Sequence, residues 1–111
     1  VPEILNSQVD LAELVSALQG VIKRTQAYEH HHIQKESLST RERMAHILTT
    51  LKEAGSEQPY CDFSDLFTVK EGKQGVVVTF LAILELIKES LIECVQTQIY
   101  GEIHVCLPRQ G

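Results

Sequence analysis

The sequence predicts a mostly α-helical fold with a small β-hairpin, and two observations support this prediction. Apolar residues recur at helical spacing in three separate segments, and two short apolar segments near the carboxyl end flank a glycine-containing loop. Aromatic residues make up only 5% of the chain and tryptophan is absent, so the core must be built mainly from Leu, Ile and Val. This composition is typical of packed helices.

The first predicted helix runs from about Asp10 to Glu29. Asp10 and Glu13 have the spacing of a capping box, and apolar residues follow at intervals of three and four. Gly20 lowers the helix propensity of this segment by about 1 kcal/mol relative to Ala, so we expect the helix to need a packing partner. The apolar positions are Leu11, Leu14, Val15, Leu18, Val21 and Ile22.

The second predicted helix spans about Ser39 to Ala54. Ser39 and Glu42 form another capping box, and Gly55 is placed as a stop at the carboxyl end. We expect the polar residues 28–37 to connect the two helices. The apolar stripe of the second helix consists of Met44, Ile47, Leu48 and Leu51.

The sequence after residue 59 predicts two short elements, a long helix and a hairpin. We expect a short strand at residues 60–63 and a short helix at 64–67, followed by a long helix from Val76 to about Glu89. Ile92 to Gln96 and Ile103 to Leu107 predict two antiparallel strands around a longer loop. This order of elements is that of a winged helix, in which the hairpin forms the wing. The predicted fold is therefore a winged-helix domain preceded by one additional amphipathic helix.

The charge balance argues against direct, specific binding to nucleic acid. The formal net charge is -5, and the longest basic block is Lys23-Arg24. Nucleic-acid binding needs clustered Lys and Arg to neutralise phosphates, and a DNA-reading helix needs polar side chains that reach base edges. The long helix after Val76 instead offers Leu and Ile.

Other sequence features indicate a cytoplasmic protein. No apolar run reaches the roughly 20 residues that span a bilayer, and Val1 to Glu3 lack the features of a signal peptide. The three cysteines, at positions 61, 94 and 106, form an odd set without metal-site spacing, which favours reduced, structural thiols. We therefore expect no membrane association.

Residues with possible chemistry do not form a recognisable catalytic or metal-binding pattern. The three histidines His30–His32 are consecutive, whereas ligand pairs on a helix need spacings of three or four residues. His104 and Cys106 share one face of a strand, but no oxyanion device accompanies them. Gly72, Lys73 and Gly75 do not have the spacing of a phosphate-binding loop. We expect no enzyme activity, no metal site and no cofactor.

The long helix is the most informative feature for function. It is apolar on nearly every side, whereas a domain of this size covers only about one face of a helix. The uncovered part then forms a hydrophobic strip for a partner protein; the alternative is a helix fully buried in the core. Glu85 either bonds to a donor across this surface or lies exposed at the helix edge. We expect the strand Ile103 to Leu107 at a sheet edge, open to strand addition.

Residues 77–88 read VVTFLAILELIK and residues 98–103 read QIYGEI. Both segments closely resemble the C-terminal domain of bacterial segregation and condensation protein A, the bacterial kleisin family. Upstream segments resemble the family in the same order, so the resemblance covers about residues 9 to 107. These upstream segments are HHHI at 30–33, STRERM at 39–44 and FSDLF at 63–67.

The resemblance implies a non-catalytic subunit of the SMC condensin complex, which acts in chromosome segregation and condensation in the cytoplasm, at the nucleoid. It identifies residues 1–36 as the end of the family's central region, with one helix, and residues 37–111 as the C-terminal winged-helix domain. In that family, the winged helix docks on the ATPase head of an SMC protein. The region upstream of it binds segregation and condensation protein B.

Carried over to this sequence, the resemblance places the SMC-head contact on the long helix and the wing. The residues concerned are Val77, Phe80, Leu81, Leu84, Glu85, Tyr100, Ile103 and Val105. Two other functions remain open on the sequence alone. One is a DNA-binding winged-helix regulator, and the other is a self-associating interaction domain.

Overall fold

A computed structural model describes residues 9–26, 39–53, 60–96 and 101–108 of the chain. Helices dominate these ranges, and three strands form one small sheet, which confirms the predicted class of a mostly α protein with a β-hairpin. No helix in the described ranges is long and apolar enough to cross a lipid bilayer. The elements are α1 (Leu11–Thr25), α2 (Thr40–Glu53), β1 (Cys61–Asp62), α3 (Gly72–Lys88), β2 (Glu93–Gln96) and β3 (Ile103–Cys106).

The two predicted capping boxes differ in the structure. The Ser39 hydroxyl accepts a hydrogen bond from the backbone N–H of Glu42 at 3.2 Å, so Ser39 caps α2 as expected. At α1, the backbone carbonyl of Asp10 accepts from Glu13 and Leu14. Among the described residues, the Asp10 side chain makes no capping hydrogen bond, so its predicted role is wrong.

Helix α3 begins at Gly72, four residues before the predicted start. A 3-10 turn at Val69–Glu71 leads into it, and Gly72 has φ 75° and ψ -167°. Only glycine adopts this backbone region readily, because any Cβ would clash with the backbone there. Apolar periodicity marks Val76 as the first obvious helical residue, so the polar first turn of α3 was not predicted.

A single core surrounds α3. Helices α1 and α2 both pack against α3, and the hairpin and a second 3-10 turn (Phe63–Leu66) complete the same cluster. Helix α1 therefore shares its core with the rest of the described chain. The predicted boundary between residues 36 and 37 lies outside the described ranges, and this division of the chain stays a prediction. On α3, the buried residues are Gly72, Gly75, Val76, Thr79, Ala82, Ile83 and Leu86.

The sheet has the order β1-β3-β2, with antiparallel pairing throughout. The predicted strand Ile103 to Leu107 was expected at an edge, and this prediction is wrong because β3 lies between the other two strands. Strand β1 pairs Cys61 with Val105 and Asp62 with His104. Because β1 has only two residues, its pairing leaves almost no pattern in the sequence. The sheet edges are β1 and β2.

The hydroxyl of Thr79 is buried in the middle of α3 and has no hydrogen-bond partner among the described residues. Burial of an unpaired hydroxyl destabilises a fold by about 1–3 kcal/mol. We expect Thr79→Val, which keeps the shape of the side chain, to raise the free energy of unfolding by about 1 kcal/mol. Urea denaturation followed by circular dichroism measures this change.

Thr25 offers a matched control for this prediction. It is also buried on a helix, but its hydroxyl donates to the carbonyl of Val21 at 3.0 Å. Thr25→Val removes a satisfied hydrogen bond, so we expect no gain in stability from it. Equal effects of the two substitutions would contradict the assignment of Thr79 as an unsatisfied group.

Helix α3 ends in a Schellman motif. The backbone N–H of Leu91 donates to the carbonyl of Leu86 at 2.9 Å, and that of Ser90 donates to the carbonyl of Ile87 at 3.0 Å. Ser90 has φ 62°, a left-handed conformation that disfavours residues with a Cβ. We expect Ser90→Gly to stabilise the protein by roughly 0.5–1 kcal/mol, since glycine adopts this conformation without strain. Thermal unfolding measures this gain, and Glu89→Gly, at φ -87°, should instead be destabilising.

Candidate partner-binding surface

The side of α3 that faces away from the core carries an apolar strip. Val77 and Leu81 are each 49% exposed, although both are large aliphatic residues in the middle of a helix. Leu84 lies next along the same side and is half-buried. Positions i, i+4 and i+7 fall on one side of a helix, so the three residues form a continuous surface. We call Val77, Leu81 and Leu84 the α3 strip.

Polar residues border the α3 strip at both ends. Lys73 and Gln74 are exposed in the first turn of α3, and Lys88 is exposed in the last turn. Lys88 lies near the carboxyl end of the helix, where a cation interacts favourably with the helix dipole. The strip therefore has an apolar centre with cationic ends, which suits a partner with an apolar patch and acidic borders.

Phe80 and Glu85, both predicted contact residues, lie at the borders of this surface. The Phe80 side chain packs against the core, and its ring meets that of Phe63 edge-on, with the ring centroids 6.4 Å apart. This contact anchors α3 to the turn at Phe63–Leu66. Glu85 is half-buried one turn beyond Leu81, at the edge of the α3 strip. Phe80 therefore belongs mainly to the core contact at the border of the strip, and Glu85 adds a carboxylate beside the strip.

Two predicted contact residues of the wing, Ile103 and Val105, are not part of the same surface. Ile103 and Val105 are buried in the core, because these positions of the central strand β3 point toward the helices. Their side chains offer no surface to a partner. Tyr100 lies outside the described residues, so its predicted contact stays a prediction. The structure thus groups Val77, Leu81 and Leu84 with Glu85 and separates them from β3.

Helix α1 carries a second exposed apolar surface, whose individual residues were not among the predicted contact residues. Leu11 is 60% exposed and Val15 is 39% exposed. Buried Leu14 and Val21 lie on the adjacent side of the helix, where they face α3 and the neighbouring turns. The sequence did contain a signal for this exposed surface, namely the width of the apolar stripe on the helix. Its six apolar positions cover more of the helix than one packing contact can bury. We call Leu11 and Val15 the α1 strip.

The cysteines have the properties of structural residues. None of the three forms a disulfide, and Cys94 and Cys106 are buried. Burial, with a smaller contribution from Cys106, raises the pKa of the Cys94 thiol to about 12. Cys94 therefore stays protonated near neutral pH, and a protonated thiol is a poor nucleophile. Burial followed by the nearby charges of Asp65 and Asp62 also raises the pKa of Cys61.

Comparison with known proteins identifies one family. The family model described as segregation and condensation protein ScpA matches residues 3–108. A segregation and condensation protein A from Xylella fastidiosa is 50% identical over 97 residues, which are 87% of this chain and 31% of that protein. The protein of the same name from Coxiella burnetii is 43% identical over 101 residues, which are 91% of this chain and 36% of that protein.

More distant relatives carry the same name. The segregation and condensation protein A of Brevibacillus brevis is 34% identical over 101 residues, which are 90% of this chain and 38% of that protein. The chain therefore spans about a third of the length of the curated relatives that it matches. Both apolar strips, on α1 and on α3, lie within the matched range.

Proposed function

Because this chain belongs to the segregation and condensation protein A family, we propose that its α3 strip binds the ATPase head of an SMC protein. The chain then acts as a non-catalytic kleisin segment in chromosome segregation and condensation, in the cytoplasm at the nucleoid. In this proposal the domain is a winged helix, and the β2–β3 hairpin is its wing. Tyr100, which lies between β2 and β3 in the sequence, belongs to the proposed contact as well.

The exposure of Val77 and Leu81 is the observation that carries this proposal. Both residues sit on the helix that organises the core, so their positions are held by the packing of Val76, Ile83 and Leu86 behind them. Burying the exposed half of such a side chain contributes on the order of 1 kcal/mol. A rigid apolar strip loses little conformational entropy on binding, which favours a specific contact.

A titration of the cognate SMC head into this chain tests the proposal. We expect a one-to-one complex by isothermal titration calorimetry, with an affinity that falls only modestly between low and moderate salt, because the contact is mainly apolar and only its ends are cationic. Absence of a complex at high micromolar concentrations of both proteins would contradict the proposal.

Two further measurements separate the alternatives. A DNA-binding regulator predicts an affinity for DNA that falls steeply with salt, and we expect no DNA binding by this chain even at low salt. A self-associating domain predicts a dimer that buries the α3 strip. Sedimentation across a range of concentrations should instead give a monomer.

The α1 strip supports a second contact. We propose that Leu11 and Val15 contribute to binding of segregation and condensation protein B, because they lie upstream of the predicted winged helix and are exposed on a helix whose other side is already packed.

Leu11→Glu should weaken binding of protein B and leave binding of the SMC head unchanged. Leu81→Arg should have the opposite pattern. If either substitution weakened both interactions equally, the two strips would not be separate binding surfaces.

A further inference from the structure

Three potential metal ligands converge on the sheet, although the sequence predicted no metal site. One ligand atom each of Asp62, Glu102 and His104 lies within 4.8 Å of the other two. Nδ1 of His104 and Oδ1 of Asp62 are 3.0 Å apart. Asp62 lies in β1, His104 lies in β3 and Glu102 immediately precedes β3. Asp62 is about 40 positions from the other two residues in the chain, which is why sequence spacing did not reveal the cluster.

The backbone fixes the arrangement of these side chains. Asp62 and His104 are directly opposite each other in the register of β1 and β3. Glu102 precedes His104 by two residues, so the extended backbone directs both side chains to the same face of the sheet. The intervening Ile103 points into the core on the other face. The ring of Tyr60 lies beside the imidazole of His104, with the ring centroids 5.9 Å apart and the ring planes tilted by 58°.

The chemistry of this set suits zinc. An imidazole with two carboxylates is a combination that binds Zn²⁺, whereas Mg²⁺ and Ca²⁺ prefer oxygen ligands alone. Zinc lies about 2.0–2.2 Å from each nitrogen or oxygen ligand, so two ligands in tetrahedral geometry are about 3.3–3.6 Å apart. The ligand atoms of Asp62 and His104 are already this close, at 3.0 Å, and the exposed Glu102 side chain can rotate towards them. His104 and Asp62 are half-buried and Glu102 is exposed, so the site remains open to an ion from solvent.

We propose that Asp62, Glu102 and His104 bind a zinc ion and thereby link β1 to β3. Three protein ligands leave at least one coordination position for water or for a group from another molecule. Zinc binding stabilises the folded chain by an amount that rises with the logarithm of the zinc concentration above the dissociation constant, because the unfolded chain does not hold the two strands together.

Calorimetric titration of the 111-residue chain with ZnCl₂ at pH 7.5 tests this proposal. We expect one ion per chain and at least a tenfold weaker affinity for His104→Gln and for Glu102→Gln. Glu102 is exposed, so its substitution leaves folding intact even if the His104 variant is destabilised. Asp65→Asn, an exposed carboxylate outside the cluster, should leave the affinity unchanged. The melting temperature should rise with ZnCl₂ and stay constant with the same concentration of MgCl₂.

The consecutive histidines His30–His32 provide the necessary counter-test. Replacing all three with Asn should leave zinc binding intact if Asp62, Glu102 and His104 form the site. The proposal is overturned if this triple variant loses zinc binding, if His104→Gln and Glu102→Gln both bind zinc as tightly as the original chain, or if MgCl₂ stabilises the protein as much as ZnCl₂.

Discussion

Leu81→Arg is expected to weaken binding of the SMC head by at least about 100-fold, equivalent to roughly 2.7 kcal/mol. Leu81 lies at the centre of the α3 strip, and an arginine there places an unpaired charge in an apolar contact, which is costly. Because Leu81 faces away from the core, we expect the free energy of unfolding to change by no more than about 0.5 kcal/mol. Calorimetric titration with the SMC head and urea denaturation measure the two quantities.

Thr49→Arg is the matched control for Leu81→Arg. Thr49 is exposed on α2, so this variant adds the same charge to a different helix. It should bind the SMC head as tightly as the original chain. Leu84 is a poorer position for the test, because it packs partly against the core and its substitution would alter folding and binding together. Equal loss of binding in the Leu81 and Thr49 variants would contradict a specific role for the α3 strip.

Gly75→Ala is expected to lower the free energy of unfolding by about 2–4 kcal/mol. A Cβ at Gly75 would overlap the Cβ of Glu71 and lie 2.8 Å from one of its carboxylate oxygens. Glu71 cannot move freely, because Nη2 of Arg43 donates to both of its oxygens, at 2.9 and 2.7 Å. The Arg43 side chain is only 12% exposed, so displacing Glu71 leaves a mostly buried guanidinium without its partner.

Gly20→Ala is the control for Gly75→Ala. A Cβ at Gly20 meets no atom within 4 Å, and Gly20 lies inside helix α1. Alanine should therefore stabilise the protein there by about 1 kcal/mol through its higher helix propensity. Urea denaturation of both variants should give changes of opposite sign. A Gly75 variant as stable as the Gly20 variant would show that the contact between α2 and the start of α3 does not constrain this position.

The helices were predictable because their packing leaves a periodic pattern in the chain. Predicted and observed ends of α2 agree to within one residue, since Ser39 caps the helix through a local hydrogen bond. The early start of α3 depends on the backbone conformation of Gly72, which no periodicity of apolar residues reveals. Sequence-based reasoning therefore locates the body of each helix better than a start that depends on unusual backbone geometry.

The candidate surface was only partly predictable for a related reason. The many apolar residues of α3 indicate that the rest of the domain cannot cover all of them. Which of these residues stay exposed depends on how the other elements pack against α3. Helices α1 and α2 cover the side with Val76 and Ile83 and leave Val77 and Leu81 open. Likewise, the central position of β3 in the sheet depends on its pairing with β1, more than 40 residues earlier in the chain. Val105, on the side of β3 that faces the helices, is buried. These are long-range contacts, which local patterns do not encode.

Site-specific photo-crosslinking tests the central claim most directly. A photoreactive amino acid at position 81 should crosslink to the cognate SMC head when the two proteins are mixed near their dissociation constant. The same amino acid at position 49 on α2 should not crosslink. The account is contradicted if position 81 gives no crosslink in a mixture where a complex is present, or if position 49 crosslinks as efficiently.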